Sequence, residues 1–415
     1  MRHYLHLIAT LITLSASAQQ ISIEEYRYDV EQYSWQIRQA SEQSRIATHN
    51  LLISRTNFLP RLSLSGDFSL SLRDRSEVKP WHFTLKPEIV STIYEGGAQR
   101  ADFRLSKLKQ SSTLYDEQAT IRDVRYSADY AYWRLSANTL YLLATSRYVE
   151  LIRSLKLIIE RRFEEGYISK SDVLMIESRL STAEYERITA EENYLQSLHN
   201  FNIMRGVESD RKVELRNSIL DSLMMPQRLS IEDIVTHNPE FNSSRVAIEQ
   251  AIESLKIERA SFNPRVEIGI NGIWQPESPN ARGTTYLDGA LFARLTIPIF
   301  HFRERRHRVD AAQAKIRSRE WALGELYDEI LLEERDSWSA LEESLSQIVS
   351  TEKSLKLAAE NLELSTYSYE QGITTILDVM QAQLNWIQLY TNAITAHFNF
   401  AVARSSYERI SLQYH

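Results

Sequence analysis

The chain has 415 residues, a formal net charge of −7, 25% charged and 43% hydrophobic residues. This ordinary globular composition excludes a disordered chain and implies no nucleic-acid partner. There is no cysteine, which removes thiol catalysis, cysteine-ligated zinc, disulfides and the acylated N-terminal cysteine of a lipoprotein.

At the N-terminus, Arg2 and His3 precede a mostly apolar stretch, Tyr4 to Leu14, and Ala16-Ser17-Ala18 forms an A-x-A site. Residues 1–18 therefore read as a secretory signal, with a mature chain starting near Gln19. No later stretch reaches the ~18 consecutive apolar residues of a membrane helix. The mature chain is thus soluble or enters a membrane as a β-barrel.

Glycine and proline then divide the chain. None occurs before Pro60, so residues 20–58 are expected to form one helix. Six fall between residues 60 and 97, and none in the 68 residues from Ala98 to Glu165. Gly166 stands alone, and a second cluster spans residues 206–298. Only Gly324 interrupts the 73 residues between Pro298 and Gly372, and no breaker follows Gly372. A run of 68 residues is about 100 Å of helix, too long for a compact globule. After Gly372, Leu377, Met380, Leu384, Ile387, Thr391, Ile394, Phe398 and Ala401 recur at coiled-coil spacing.

The breaker-rich stretches alternate instead. Leu62, Leu64, Phe68 and Leu70 are interleaved with Ser63, Ser65, Asp67 and Ser69, which predicts a strand over about 61–72. Further strands are expected over about 81–93, 265–275 and 285–297, with polar turns at Arg73 to Pro80 and Pro276 to Thr285. Such lengths, with one apolar face, suit an outer-membrane barrel or a half-buried soluble hairpin.

The chain repeats itself. Leu59-Pro60-Arg61-Leu62 is echoed by Asn263-Pro264-Arg265-Val266, and Thr92-Ile93-Tyr94 by Pro298-Ile299-Phe300. Phe163-Glu164-Glu165-Gly166 with Asp172-Val173-Leu174 is echoed by Tyr369-Glu370-Gln371-Gly372 with Asp378-Val379-Met380. Ser22-Ile23-Glu24-Glu25 matches Ser230-Ile231-Glu232-Asp233, and both read as capped helix starts. The offsets run from 204 to 208, which divides the chain into a first repeat (19–209), a linker (210–229) and a second repeat (230–415). Each copy reads as helix, strand, turn, strand, very long helix, glycine-centred tip and return helix. The fold class is mainly α with a β-barrel part.

These motifs, with Tyr94-Glu95-Gly96-Gly97 and Asn238-Pro239, resemble the TolC-like outer-membrane efflux protein family over essentially the whole mature chain. The resemblance implies a homotrimer in the outer membrane of a Gram-negative bacterium. Each chain would give its strands to one shared twelve-stranded barrel and its helices to a periplasmic tunnel. The implied function is passive conduction in a tripartite efflux pump or type I secretion system, alongside a periplasmic adaptor and an inner-membrane transporter. A periplasmic adaptor or a non-conducting coiled-coil protein is the alternative.

The resemblance also implies site residues. Asp378 is similar to the family's constriction acid, with Gln381 where a second acid often stands. Tyr369 resembles the tyrosine that bonds to the opposite tip, here Asp172. The family's basic partner falls at Thr374, leaving Lys170 as substitute. Asp172 and Asp378 read equally as helix N-caps. Gly166, Ser169, Ser171, Gly372, Thr374 and Thr375 are the expected adaptor-docking tips. Trp81, Trp274, Tyr286 and Phe300 are candidate membrane-interface aromatics, and Arg303, Arg305, Arg306 and Arg308 a basic run facing anionic head groups or the tunnel mouth. The copies differ at Thr92 against Pro298 and at Gly96-Gly97 against Phe302-Arg303, so their strand–helix junctions are expected to bend differently. No catalytic motif, metal-ligand spacing or cofactor fingerprint occurs, so no enzyme activity and no cofactor are expected. The sequence does not name the cargo.

Overall fold

The two strand pairs build one antiparallel sheet, and the breaker-free runs build the helices that leave it. A computed structural model describes residues 20–70, 81–221, 224–276 and 285–413. The expected signal, the strand beyond Leu70 with the turn Arg73 to Pro80, and residues 277–284 of the second turn lie outside these residues.

In chain order the elements are β1 (Gln20–Ile21), α1 (Ile23–Tyr33), α2 (Trp35–Thr56), β2 (Arg61–Leu70), β3 (Trp81–Glu95), α3 (Ala98–Glu164) and α4 (Lys170–Met204). They continue with β4 (Glu214–Leu215), α5 (Ile231–His237), α6 (Pro239–Ala260), β5 (Arg265–Gln275), β6 (Tyr286–Thr296), α7 (Glu304–Glu370) and α8 (Ile376–Ser411). Helices α3 and α7 each have 67 residues and begin 206 positions apart, while α2 and α6 each have 22. No helix among the described residues is long and apolar enough to cross a membrane.

One expectation fails early. The chain over residues 20–58 is not one helix: it starts as a strand and breaks at Ser34, whose ψ of 121° leaves the helical region. The Ser34 amide still donates to the Val30 carbonyl at 2.8 Å, so the break is a cap that needs neither glycine nor proline. Ser22 forms the expected cap of α1, as a reciprocal box with Glu25. Asn238 caps α6, accepting from the Phe241 amide at 2.8 Å, with Pro239 at the first helical position.

The described residues form two compact units, and neither follows a repeat: one falls within 20–36, 121–230 and 332–413, the other within 37–120 and 231–331. In the first, α3, α4 and α8 pack along heptad seams. Tyr148, Ile152, Leu155 and Ile159 of α3 meet Ile176 and Ala183 of α4 and Met380, Ile387, Ile394 and Ala401 of α8. Leu377 is 57% exposed, so the seam starts at Ile376 and Val379 rather than at Leu377. Tyr26 stacks on Phe201 at 3.9 Å and donates to its carbonyl, and Tyr132 donates to the Ile21 carbonyl at 2.9 Å. Burial pushes the Tyr132 hydroxyl up to about 12. Arg27 grips the fully buried Asp129 with two bonds of 2.6 and 2.8 Å, and Glu408 lies 3.6 Å from the same guanidinium. The linker is tied down by the parallel pair β1–β4 and by Arg228, which bonds Glu334 at 2.9 Å and lies over Trp338.

The second unit carries the sheet, in the order β2-β3-β5-β6. Its helices meet through small side chains such as Ser44, Ser54, Ala101, Ala251 and Ala260 rather than a large apolar core. Leu62, Ile89, Ile270 and Leu291 stand directly opposite one another across all four strands, each at least 40% exposed. The other face holds Asp67 paired with Lys86 at 2.7 Å, and Glu267 between Arg265 and Arg294. β2 and β6 are the sheet's two edges.

The strand–helix junctions differ, as expected: β3 runs to Glu95 and leaves two residues before α3, whereas β6 ends at Thr296 and leaves seven before α7, yet the turn next to each helix is alike. Gly96 and Gly97 have φ of 60° and 92°, and Phe302 and Arg303, in the equivalent positions, have φ of 42° and 66°. The second copy holds the same left-handed backbone at a cost of about 1–3 kcal/mol per residue. A side chain at Gly96 would strike Asn263 Cβ at 2.5 Å, so the first copy has no such option.

Candidate functional site

The hairpin tips are built twice by the same hydrogen bonds. Gly166 closes α3 with φ of 80°, its amide donating to the Phe163 carbonyl, and Tyr167 donates to the Arg162 carbonyl, both at 2.9 Å. Gly372 closes α7 with φ of 73°, its amide donating to the Tyr369 carbonyl at 3.0 Å and Ile373 donating to the Ser368 carbonyl at 2.9 Å. Both are Schellman ends, which need a left-handed residue at this point.

The return helices then start on matching boxes. Asp172 accepts from the Ser169 amide at 3.0 Å and hydroxyl at 2.8 Å, and Asp378 from the Thr375 amide at 2.9 Å and hydroxyl at 2.7 Å. Ser169 and Thr375 are the N-caps, so the alternative reading of the two acids as N-caps is corrected: they stand three residues later and close the box. The Thr375 hydroxyl, then its amide, hold the Asp378 carboxyl below the usual carboxylate range. Asp378 and Gln381 are exposed and share a helical face.

The expected Tyr369–Asp172 bond is not formed within the chain. Tyr369 is 4% exposed and its hydroxyl has no partner among the described residues, while Asp172 bonds its own cap. The Thr374 hydroxyl is also buried without a partner. Lys170 is exposed and bonds nothing at the other tip among the described residues. The cation that reaches Tyr369 within the chain is Arg162. Its guanidinium lies 4.5 Å from the Tyr369 ring centre and donates to the carbonyls of Tyr369 at 3.0 Å and Glu370 at 2.9 Å. A cation there gives the last carbonyls of α7 a charged donor, in addition to the Gly372 amide at Tyr369, and complements the helix dipole. The pair Arg161-Arg162 in the last turn of α3 was the available signal. Gly166, Ser169, Ser171, Gly372 and Thr375 all lie exposed at the tips.

Among the interface candidates, Trp81 and Trp274 sit on the apolar face, opposite Leu70 and Leu287. Tyr286 does not: its register with Gln275 puts it on the polar face, where it donates to Asp288 at 2.8 Å. Phe300 follows the sheet, 71% exposed. Arg308 is committed to Glu304 and Glu258, whereas Arg303 and Arg305 have no ion-pair partner among the described residues.

The sequence profile of the outer membrane efflux protein family matches residues 18–204 and 230–403. The chain is similar to protein CyaE of Bordetella pertussis, 20% identical over 346 residues that cover 81% of this chain and 72% of CyaE. It is also 20% identical to outer membrane protein TolC of Escherichia coli over 375 residues, 84% of this chain and 73% of TolC. The solved structure of CusC superposes with a TM-score of 0.82 at 13% identity, covering 95% of this chain and 92% of that one. TolC-family channels work with adaptor proteins and inner-membrane transporters in efflux and secretion systems. The chain belongs to the outer membrane efflux protein family, and is a non-enzymatic channel of the outer membrane that extends into the periplasm.

Proposed function

We propose that three copies of this chain close one barrel of twelve strands and conduct substrates passively, docked through their hairpin tips to a periplasmic adaptor and its inner-membrane transporter. The observation that carries the reading is the sheet: four strands, one continuous apolar face, and two open edges. Open edges cannot stand in lipid, and four strands cannot close on themselves. Pairing β2 of one copy with β6 of the next removes every edge. The thin apolar core of the helices beside the sheet supports the same reading, in which neighbouring copies would complete their contacts. The purified protein in planar bilayers is expected to give discrete conductance steps. Cysteines placed at Ser65 and Ala290 of this cysteine-free chain are expected to crosslink up to a trimer. A crosslinked ladder that stops at dimer, or a silent bilayer, overturns it.

The tips form the gate in this reading. Three exposed Asp378 carboxylates around one axis concentrate negative potential and favour cations, more weakly than in relatives with an acid in place of Gln381. The Tyr369 hydroxyl is buried without a partner in its own chain, and in this reading it meets a neighbouring copy when the tip rearranges. Tyr369→Phe separates the cases: a higher conductance supports a bond across copies. An unchanged conductance with a slightly raised melting temperature shows a hydroxyl that is merely buried.

A further inference from the structure

In the turn before α7 the second copy departs from the first in side chains while keeping two left-handed residues. Glycine would hold the left-handed turn without strain, yet Phe302 and Arg303 stand there, at φ of 42° and 66°. Strain retained against an available alternative points to a role for the side chains. Those side chains are turned outward: Ile299 is 92% exposed, Phe300 71% and Phe302 85%. The rings of Phe300 and Phe302 meet edge to face at 4.6 Å. Beside them, Arg303 and Arg305 have no acidic partner among the described residues, and Arg306 has only Asp310 at 3.7 Å, both exposed. The nearby acid, Glu304, is taken by Arg308 at 2.6 Å, with His301 at 3.7 Å. On the sheet, a shallow apolar depression of about 580 Å³ is lined by Pro60, Ile89, Ile268, Ile270, Leu291 and Ala293.

We infer that the segment Ile299 to Arg306 is a binding site for an anionic phospholipid, its phosphate held by Arg303, Arg305 and Arg306 and its acyl chains lying on the apolar sheet face. The inference rests on the sheet being the membrane-embedded part of the channel. Adjacent aromatic and cationic side chains are the chemistry of a membrane interface, where rings sit at head-group level and guanidinium groups pair with phosphate. Net positive charge selects an anionic head group over a zwitterionic one. The first copy has Gly96-Gly97 at this point and makes no such site.

The test uses the full chain in nanodiscs of phosphatidylcholine with or without phosphatidylglycerol. Lipid retained after transfer to detergent is read by native mass spectrometry. The wild type is expected to retain phosphatidylglycerol preferentially. The variant Arg303→Gln/Arg305→Gln/Arg306→Gln should lose roughly 100-fold of that preference, and Arg100→Gln in the first copy none. Phe302→Gly should retain less lipid while melting higher in detergent, because the strain is relieved. Equal retention of the two lipids by the wild type overturns the inference. So does a triple variant that keeps its lipid, or one whose oligomer falls apart with lipid retention unchanged, which would place the arginines against a neighbouring copy. Bilayer conductance measured on the same samples reports on the channel reading separately, since the triple variant is expected to conduct as the wild type does.

Discussion

At the residue scale, each acid at the tips already has a task within its own chain. The bonds from Thr375 keep Asp378 charged to lower pH than a free carboxylate. A lowered value in the folded state means that its contribution to the start of α8 is complete above the unfolded value of about 4 and is lost as pH falls through the lower folded value. Cation selectivity, read from reversal potentials, is therefore expected to hold from about pH 7 to 5 and to fade only below about 4. Asp378→Asn should remove that pH dependence; selectivity that titrates between pH 5 and 7 would point to another group. Arg162 offers a second test. Arg162→Gln forfeits the charged bonds to the last carbonyls of α7 and the stack on Tyr369, worth about 1.5–3 kcal/mol locally. Hydrogen exchange at Gly372 and Ile373 should accelerate while β3 and β5 stay protected.

At the element scale, the seam of α8 can be tested by phase. Ile394 is fully buried, so Ile394→Ala should cost about 2–5 kcal/mol, whereas Leu377→Ala at an exposed position should stay within about 0.5 kcal/mol. Equal effects in thermal melts would mean the seam is misplaced. The same residues show what could be read in advance. Met380, Ile387, Ile394 and Ala401 were legible because a heptad fixes a helical face, but Leu377 lies where two apolar series overlap and only packing chose between them. The strands were legible from alternation, and Tyr286 could have been placed correctly, since it has the parity of Asp288 rather than of Leu287. The break at Ser34 carries no glycine or proline and left no mark. Arg162 reaches across 207 positions to Tyr369, a pairing that no local pattern announces. The junction was legible in part: Pro298 in place of Thr92 goes with a strand that stops at Thr296, while the loss of the glycine pair left no mark on the left-handed turn.

At the scale of the molecule, the unit holding the tips is pinned by charges as well as by seams. Asp129 is fully buried between Arg27 and Ser405, and burial raises its carboxyl against the opposing pull of Arg27. Asp129→Ala would leave Arg27 without its main partner in a dry setting, and is expected to cost about 3–5 kcal/mol in chemical denaturation. A loss under 1 kcal/mol would mean that Glu408 alone neutralises the guanidinium. The units themselves are stitched from both repeats, since each takes some chain before the linker and some after it.

That interleaving constrains how the protein can be made. When the first repeat has emerged and the second has not, neither unit has all its segments. The apolar stripes of α3 and α4 then lack α8, the helix they close upon. Folding of that unit must therefore wait for α8, and an exported chain spends that interval with its seams uncovered, as a client for holding factors outside the cytoplasm. A chain truncated after residue 209 should be degraded at once by added protease; a resistant fragment would show that the first repeat can fold alone.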